Sequence, residues 1–200
     1  MKRVLSLIAA FFILAVGAVA QTTWLVDNVH SNVKFSVTHL IISEVEGSFN
    51  VYSGALTFEN SDLENAEVDF TVDVASINTD NVMRDGHLKS DDFFNAEQFP
   101  KMTFKGIAWK KLDDKRYELE GDLTIRDVTK RVTFAVVFGG TIKDPWGNMK
   151  AGFKATTTIN RFEYGLKWNA LTEAGGATVG KDVGIMLNLS FLQKKASSLP

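Results

Sequence analysis

Three histidines are the residues of this 200-residue chain that most readily suggest a metal or acid-base site. Neutral imidazole is the commonest metal ligand among side chains. His30 and His39 are nine positions apart, so on one continuous strand their side chains would face opposite sides. His87 is distant from both, and the sequence contains neither an HxH nor an HExxH spacing. The histidines therefore predict no metal site.

A catalytic nucleophile is not indicated either. Acyl transfer needs a nucleophile, a base and an oxyanion hole. The sequence has no GxSxG motif, and the adjacent side chains of His30 and Ser31 would point apart on a strand. The absence of cysteine also excludes disulfides and thiolate chemistry. We therefore predict that the protein is not an enzyme.

Arg161 and His87 are the polar residues that we predict to meet the head group of a ligand. Arg161 follows an apolar row, at the end of a predicted strand, and a guanidinium matches the geometry of a phosphate. The alternative is that Arg161 pairs with Glu163 or Asp91 and stabilises a turn. For His87, the alternatives are the mouth of a cavity, a helix cap and a surface contact.

The first twenty residues have the composition of a secretory signal peptide. Lys2 and Arg3 form a positive start, residues 4–16 are uncharged and mostly apolar, and Ala18-Val19-Ala20 supplies a small-x-small cleavage pattern. We expect cleavage after Ala20 and one exported domain over residues 21–200. An uncleaved anchor is the alternative, but spanning about 30 Å of hydrocarbon needs roughly 20 apolar residues.

Alternation of apolar and polar residues dominates the remaining sequence and predicts strands with one buried face. The clearest rows are 33–37, 68–74, 117–125, 132–138, 149–159 and 183–191, with weaker strands near 23–29, 48–58 and 101–110. Eight or nine strands with short turns predict an antiparallel meander, and closure into a barrel removes its exposed edges. The sequence also predicts one or two short helices within 81–94, broken at Gly86, and a long loop over 167–182.

The inward rows bear on whether such a barrel is filled or hollow. A barrel of eight strands either packs its interior with side chains or holds one small ligand. The inward row over 149–159 is small at Ala151, Ala155 and Thr157, and Gly121 also faces inward. Such room suits an apolar ligand. Alternatively, neighbouring Phe rings fill the gaps, and the barrel is a non-catalytic structural or interaction module.

Several segments, in order, resemble a known family. They are DNVHS (27–31), VKFSVTH (33–39), GSF (47–49), HLKSDDFF (87–94), FP (99–100), LTIRDVTK (123–130), INRFEYGL (159–166) and VGI (183–185). This series, between Thr23 and Phe191, resembles the YceI-like family of exported, lipocalin-like, polyisoprenoid-binding proteins. The family often has Gly at the position of Arg126 and Asp at the position of Glu163, a departure that could change the charge at a barrel rim.

The resemblance implies an all-β fold, an extended eight-stranded antiparallel lipocalin-like barrel, with a helix near one side. It also implies a tunnel for a long-chain apolar lipid (a polyisoprenoid, an isoprenoid quinone or a similar amphiphile), in the periplasm, for transport, storage or stress protection. No other cofactor and no nucleic acid are expected, whereas a homodimer and transient membrane contact are. The residues that we predict to line the tunnel are Phe35, Val37, His39, Phe49, Phe70, Phe104, Leu123, Phe134, Phe153, Ala155 and Trp168.

Overall fold

The computed structural model describes residues 22–59, 62–171 and 178–194. The predicted signal peptide and residues 172–177 of the predicted loop lie outside these residues. The strands are β1 (Thr22–Val26), β2 (Asn32–His39), β3 (Ser43–Phe49), β4 (Tyr52–Glu59), β5 (Asp62–Asp73), β6 (Ile77–Asn78), β7 (Lys101–Lys111), β8 (Arg116–Ile125), β9 (Val128–Lys143), β10 (Met149–Asn160) and β11 (Val179–Gln193). One α-helix, α1 (Val82–Lys89), lies among the described residues, and it is not long and apolar enough to cross a membrane.

The strands form one closed antiparallel barrel. β1 pairs with both β4 and β11, which closes the ring β1-β4-β5-β7-β8-β9-β10-β11. We call each of these eight strand positions a wall. Three walls consist of two strand segments each: β1 with β2, β3 with β4, and β5 with β6. The predicted eight-stranded barrel is therefore confirmed, with eleven strand segments forming its eight walls.

The neighbouring walls β8 and β9 illustrate why an alternating sequence forms this barrel. Tyr117, Leu119 and Leu123 are buried and alternate with partly exposed residues. On the outer face, Arg131 of β9 lies 2.7 Å from a carboxylate oxygen of Glu120 and 2.8 Å from one of Asp122. Apolar side chains thus fill the inner face, while cross-strand ion pairs cover the outer one.

The two ends of the barrel differ in their elements. One end, which we call the plug end, holds the β7–β8 turn (112–115) and the β9–β10 turn (144–148). The other, which we call the helix end, holds the β2–β3 turn (40–42), α1 and the β8–β9 turn (126–127). The buried apolar residues likewise form two clusters, one towards each end.

Two local predictions were wrong. The helix is not broken at Gly86, because α1 runs through that residue from a capped start, where the side chain of Asn81 accepts a hydrogen bond from the Arg84 amide. A glycine inside a helix costs only about 1 kcal/mol relative to alanine, so the cap and the barrel contacts can outweigh it. The last strand also begins earlier than predicted, at Val179, where it pairs with His39.

Candidate ligand-binding cavity

A cavity of about 200 Å³ lies inside the barrel. It is larger than the roughly 150 Å³ apolar cavity that suffices to bind benzene in an engineered protein. Its lining includes Val179 and every second residue of β11 from Val183 to Phe191, and the latter stretch alone is roughly 25 Å of strand at about 3.3 Å per residue. Its walls are almost entirely apolar, so it suits an elongated apolar ligand.

The barrel stays hollow because several Phe rings lie against the wall. Each of three glycines lies beneath a ring of the neighbouring strand: Gly47 under Phe35, Gly54 under Phe70 and Gly121 under Phe104. A Cβ at any of these glycines would overlap the ring above it. At Gly121, therefore, the Phe104 ring fills the space left by the missing side chain, as expected if neighbouring Phe rings fill the gaps in the barrel. Ala155, in contrast, borders the cavity directly.

Aromatic packing closes the cavity at the plug end. We define the plug as Trp24, Phe58, Phe138, Phe153 and Phe191. Trp24 stacks on Phe58 with 5.0 Å between ring centroids, and Phe138 stacks on Phe153 at 4.9 Å. Phe58 contacts Phe138 and Phe153 edge-on, and Phe153 contacts Phe191 in the same way. Phe153 and Phe191 border the cavity, while the other three rings lie beyond it.

A second space, of about 170 Å³, lies at the helix end, and we call it the vestibule. Its polar lining residues are His39, Thr79, Arg84, His87 and Thr178, together with the ring of Trp168. The residues that it shares with the main cavity are Phe35, Val37, Leu88, Phe93 and Val179. The apolar cavity and the polar vestibule are therefore neighbours along the barrel.

An aromatic group lies where the two spaces meet. The Trp168 and Phe93 rings lie 5.3 Å apart, and the His87 ring stands edge-on to both, at 5.0 Å from Trp168 and 5.1 Å from Phe93. The Nε2 atom of His87 is 2.8 Å from a carboxylate oxygen of Asp92, which orients the imidazole. Phe93 borders both spaces, so this group lies beside the passage between vestibule and cavity.

Arg161 makes neither of the carboxylate pairs considered from the sequence. Its side chain, 4% exposed, donates hydrogen bonds to the backbone carbonyls of Leu166, Trp168, Val179 and Gly180, at 2.6–3.1 Å. Burial lowers the pKa of its guanidinium below the ordinary value. These bonds hold the backbone of Trp168 against the start of β11, so Arg161 fixes one wall of the passage.

Asp91 and Glu163 pair elsewhere. Glu163 lies 3.8 Å from Lys130, and Asp91 lies 3.1 Å from Arg126. Arg126 occupies the first position of the two-residue β8–β9 turn with φ of 57°, a left-handed conformation in which glycine is favoured. Its guanidinium is directed inward, where it also donates to the Phe93 carbonyl at 3.1 Å. Arg126 therefore fastens the segment after α1 to the barrel.

The structure distributes the predicted site residues over both spaces. His39, His87 and Trp168 line the vestibule, and Arg161 borders the main cavity. The predicted tunnel residues that line the main cavity are Phe35, Val37, Phe49, Phe70, Phe104, Leu123, Phe134, Phe153 and Ala155. Sequence reasoning missed Arg84, although its spacing of three from His87 on a helix would place both on one face. The described residues include no His, Asp and Glu cluster suited to a metal ion.

Comparison with known proteins connects this architecture to one family. The family model of the YceI-like domain matches residues 24–191. A UPF0312 protein of Staphylococcus aureus (strain USA300) is 38% identical over 174 residues, which cover 86% of this chain and 98% of that protein. A UPF0312 protein of strain NCTC 8325 / PS 47 has the same identity and coverage.

Three solved structures share the fold. The YCEI protein of Campylobacter jejuni has a TM-score of 0.69 and 32% identity, covering 79% of this chain and 90% of its own. BcnA of Burkholderia cenocepacia has a TM-score of 0.71 and 23% identity, with 82% and 98% covered. A polyisoprenoid binding domain from Saccharophagus degradans has a TM-score of 0.63 and 15% identity, with 86% and 98% covered. At their low identities, the last two indicate likeness of fold alone.

Proposed function

The chain belongs to the YceI-like domain family, and from this premise we propose that it binds a long-chain apolar lipid inside its barrel. The observation that carries the proposal is the continuous apolar cavity, closed by the plug at one end and adjoining the vestibule at the other. The description of the Saccharophagus degradans domain as polyisoprenoid binding supports the same ligand class here. Each CH2 group moved out of water contributes about 0.8 kcal/mol to such binding.

A polyisoprenoid, an isoprenoid quinone or a similar amphiphile fits these two spaces best. Its apolar chain would occupy the main cavity, and its polar head would remain in the vestibule. Transport, storage or protection of such a lipid requires binding without chemical change. The polar side chains of the vestibule support this proposal because they are engaged with one another. Thr79 donates a hydrogen bond to Asp85 and accepts one from Arg84, while His87 pairs with Asp92.

We also propose that the protein is exported to the periplasm and contacts a membrane transiently. At the rim of the vestibule, Ile41 and Ile42 in the β2–β3 turn are 70% and 87% exposed, and Val82 and Met83 at the start of α1 are 88% and 85% exposed. Leu40 and Ile41 have φ of 51° and 68°, a region that residues other than glycine rarely adopt, above all one branched at Cβ such as Ile41. Apolar side chains presented in this way suit shallow insertion into lipid.

A homodimer stays a prediction, which light scattering on the purified protein would test.

Lipid content provides the first test. The protein is purified from its native host without detergent, extracted with organic solvent and examined by mass spectrometry. We expect a long-chain lipid in about equimolar amount. An extract without lipid, together with no uptake of prenyl chains or quinones, would contradict the proposal.

A blocked cavity provides the second test. Ala155 borders the cavity and pairs in register with Leu187 of β11, so the Ala155→Trp variant should remain folded but lose its lipid, whereas Ala155→Ser should retain it. The control is Thr156→Trp on the outer face of the same strand, which should bind like the unchanged protein. Equal lipid content in folded Ala155→Trp and Thr156→Trp would show that Ala155 does not line the binding site.

A further inference from the structure

Arg84 presents a guanidinium to the vestibule without a carboxylate partner in the described part of the chain. Its Nε atom donates to the Thr79 hydroxyl at 2.8 Å, and Nη2 donates to the Thr79 carbonyl at 2.6 Å. These two bonds fix the plane of the guanidinium against the strand that precedes α1. Nη1 makes no hydrogen bond to the described residues, so it is available to a ligand.

Arg84 is the one formally charged residue in the described lining of the vestibule. No Asp or Glu belongs to its described lining, and the His39 ring makes no hydrogen bond to described residues. The nearest engaged carboxylates are Asp85, which accepts from Thr79, and Asp92, which pairs with His87. Arg161 borders the adjoining cavity as a second guanidinium; unlike Arg84 it is buried, and its hydrogen bonds go to carbonyls alone.

We propose that the vestibule is a head-group site for a phosphate-like anion, with Arg84 as its main contact and His39 as a second donor. This inference rests on the proposed function, because the anion is the head of the lipid whose chain occupies the barrel. Phosphate oxygens accept charge-assisted hydrogen bonds from guanidinium, which are about twice as strong as neutral ones. The prenyl chain would pass Phe35 and Phe93, which border both spaces, into the main cavity.

A neutral head group would leave the arrangement unbalanced. An alcohol or a quinone carbonyl can accept one hydrogen bond from Arg84, but it supplies no charge to offset the Arg84 guanidinium. Bringing an unpaired cation out of water is costly, whereas pairing it with an anion recovers that cost. The vestibule should therefore distinguish ligands by head-group charge, while the cavity distinguishes them by chain.

Binding of matched ligands tests the site. The delipidated protein is titrated with a C20 prenyl phosphate, the corresponding C20 prenyl alcohol and inorganic phosphate, and dissociation constants are measured by calorimetry. We expect the prenyl phosphate to bind at least about tenfold more tightly than the alcohol, and inorganic phosphate to bind far more weakly than either. In Arg84→Gln, the phosphate preference should disappear while affinity for the alcohol changes less than about twofold.

Two further variants serve as a control and as a second test of the site. Arg116→Gln removes an exposed arginine at the plug end, where it pairs with Asp113, and should leave all affinities unchanged. His39→Leu should reduce the phosphate preference by about threefold, and it keeps the proposal testable if Arg84→Gln does not fold, since Arg84 also holds Thr79.

The outcomes separate the two proposals. Equal affinity of the unchanged protein for the prenyl phosphate and the alcohol would overturn the head-group site while leaving lipid binding intact. Inorganic phosphate bound as tightly as the prenyl phosphate would show a site for a free anion and overturn it too. Failure of every prenyl compound to bind would instead overturn the proposed function.

Discussion

The plug end and the helix end lie on the same eight walls, yet they are built from different side chains. At the plug end, five aromatic rings pack against one another and are nearly or completely buried. At the helix end, Arg84, His87 and Trp168 are only partly buried around a space of about 170 Å³. The comparison teaches that the walls enclose the ligand, while the two ends determine its orientation, with the chain towards the plug and the head group in the vestibule.

Truncation of one large side chain at each end should give the largest difference. Phe58 is 3% exposed and contacts three other rings, so Phe58→Ala should lower the free energy of unfolding by about 3–5 kcal/mol. Trp168→Ala should cost less than about 2 kcal/mol, because this ring is half-buried beside a space that already exists. Urea unfolding with unchanged m-values measures both.

Lipid uptake by the same two variants sharpens the contrast. We expect Trp168→Ala to accelerate lipid uptake, since its ring lines the vestibule and packs on Phe93, which borders both spaces. Phe58→Ala should alter stability far more than uptake kinetics. Similar losses of stability at both ends would contradict the division into a packed end and an open end.

The stability of the barrel should depend on pH through Asp27. Asp27 is buried where β1 ends, and it accepts hydrogen bonds from Lys150 at 3.0 Å and His30 at 2.8 Å. Burial alone would raise the pKa of Asp27, but these hydrogen bonds outweigh it and lower the pKa below its ordinary value. A lowered pKa contributes stability above the unfolded value of about 3.9, and this contribution is lost as pH falls through the folded pKa.

Asp27→Asn measures that contribution. At pH 7 the variant should be about 2 kcal/mol less stable than the unchanged protein, because it loses charge-assisted hydrogen bonds. The difference should shrink as pH falls through the folded pKa of Asp27, since the carboxyl becomes protonated in the folded as well as the unfolded state. A stability difference that stays constant between pH 7 and pH 2 would contradict the assignment.

Arg126 allows a smaller test at the helix end. Arg126→Ala removes the bonds to Asp91 and Phe93 and keeps a non-glycine residue at φ of 57°, whereas Arg126→Gly removes the same bonds and relieves the backbone. We therefore expect Arg126→Ala to be about 1 kcal/mol less stable than Arg126→Gly by thermal or urea unfolding. Equal stability of the two variants would show that this turn is not strained.

The walls of the barrel could be predicted from the sequence because alternation is local. The row Tyr117, Leu119, Gly121, Leu123 repeats every second residue, and its buried face follows directly. The breaks in the walls could not be predicted in this way. Asp27 ends β1 through contacts with Lys150 and the Ser190 carbonyl, both far along the chain.

The sequence predicted the part of the candidate site that depends on local alternation, and missed the part that depends on long-range contacts. Inward residues such as Phe153 and Ala155 follow from parity, whereas the contribution of Arg84 depends on where α1 packs against the barrel. Arg161 was a head-group candidate in the sequence because it follows an apolar row at the end of a strand, yet its hydrogen bonds go to backbone carbonyls. Which of two arginines is free for a ligand depends on tertiary contacts.

Orientation of the bound chain tests the central claim most directly. Trp109 lines the main cavity towards the plug end, and Trp168 lines the vestibule. Two C20 chains are compared, one carrying bromine at the last carbon and one beside the head group, and quenching is assigned with Trp109→Phe and Trp168→Phe. We expect the terminal bromine to quench Trp109 and the bromine beside the head to quench Trp168. The reverse pattern, or equal quenching of both rings, would contradict a head held in the vestibule with its chain directed towards the plug.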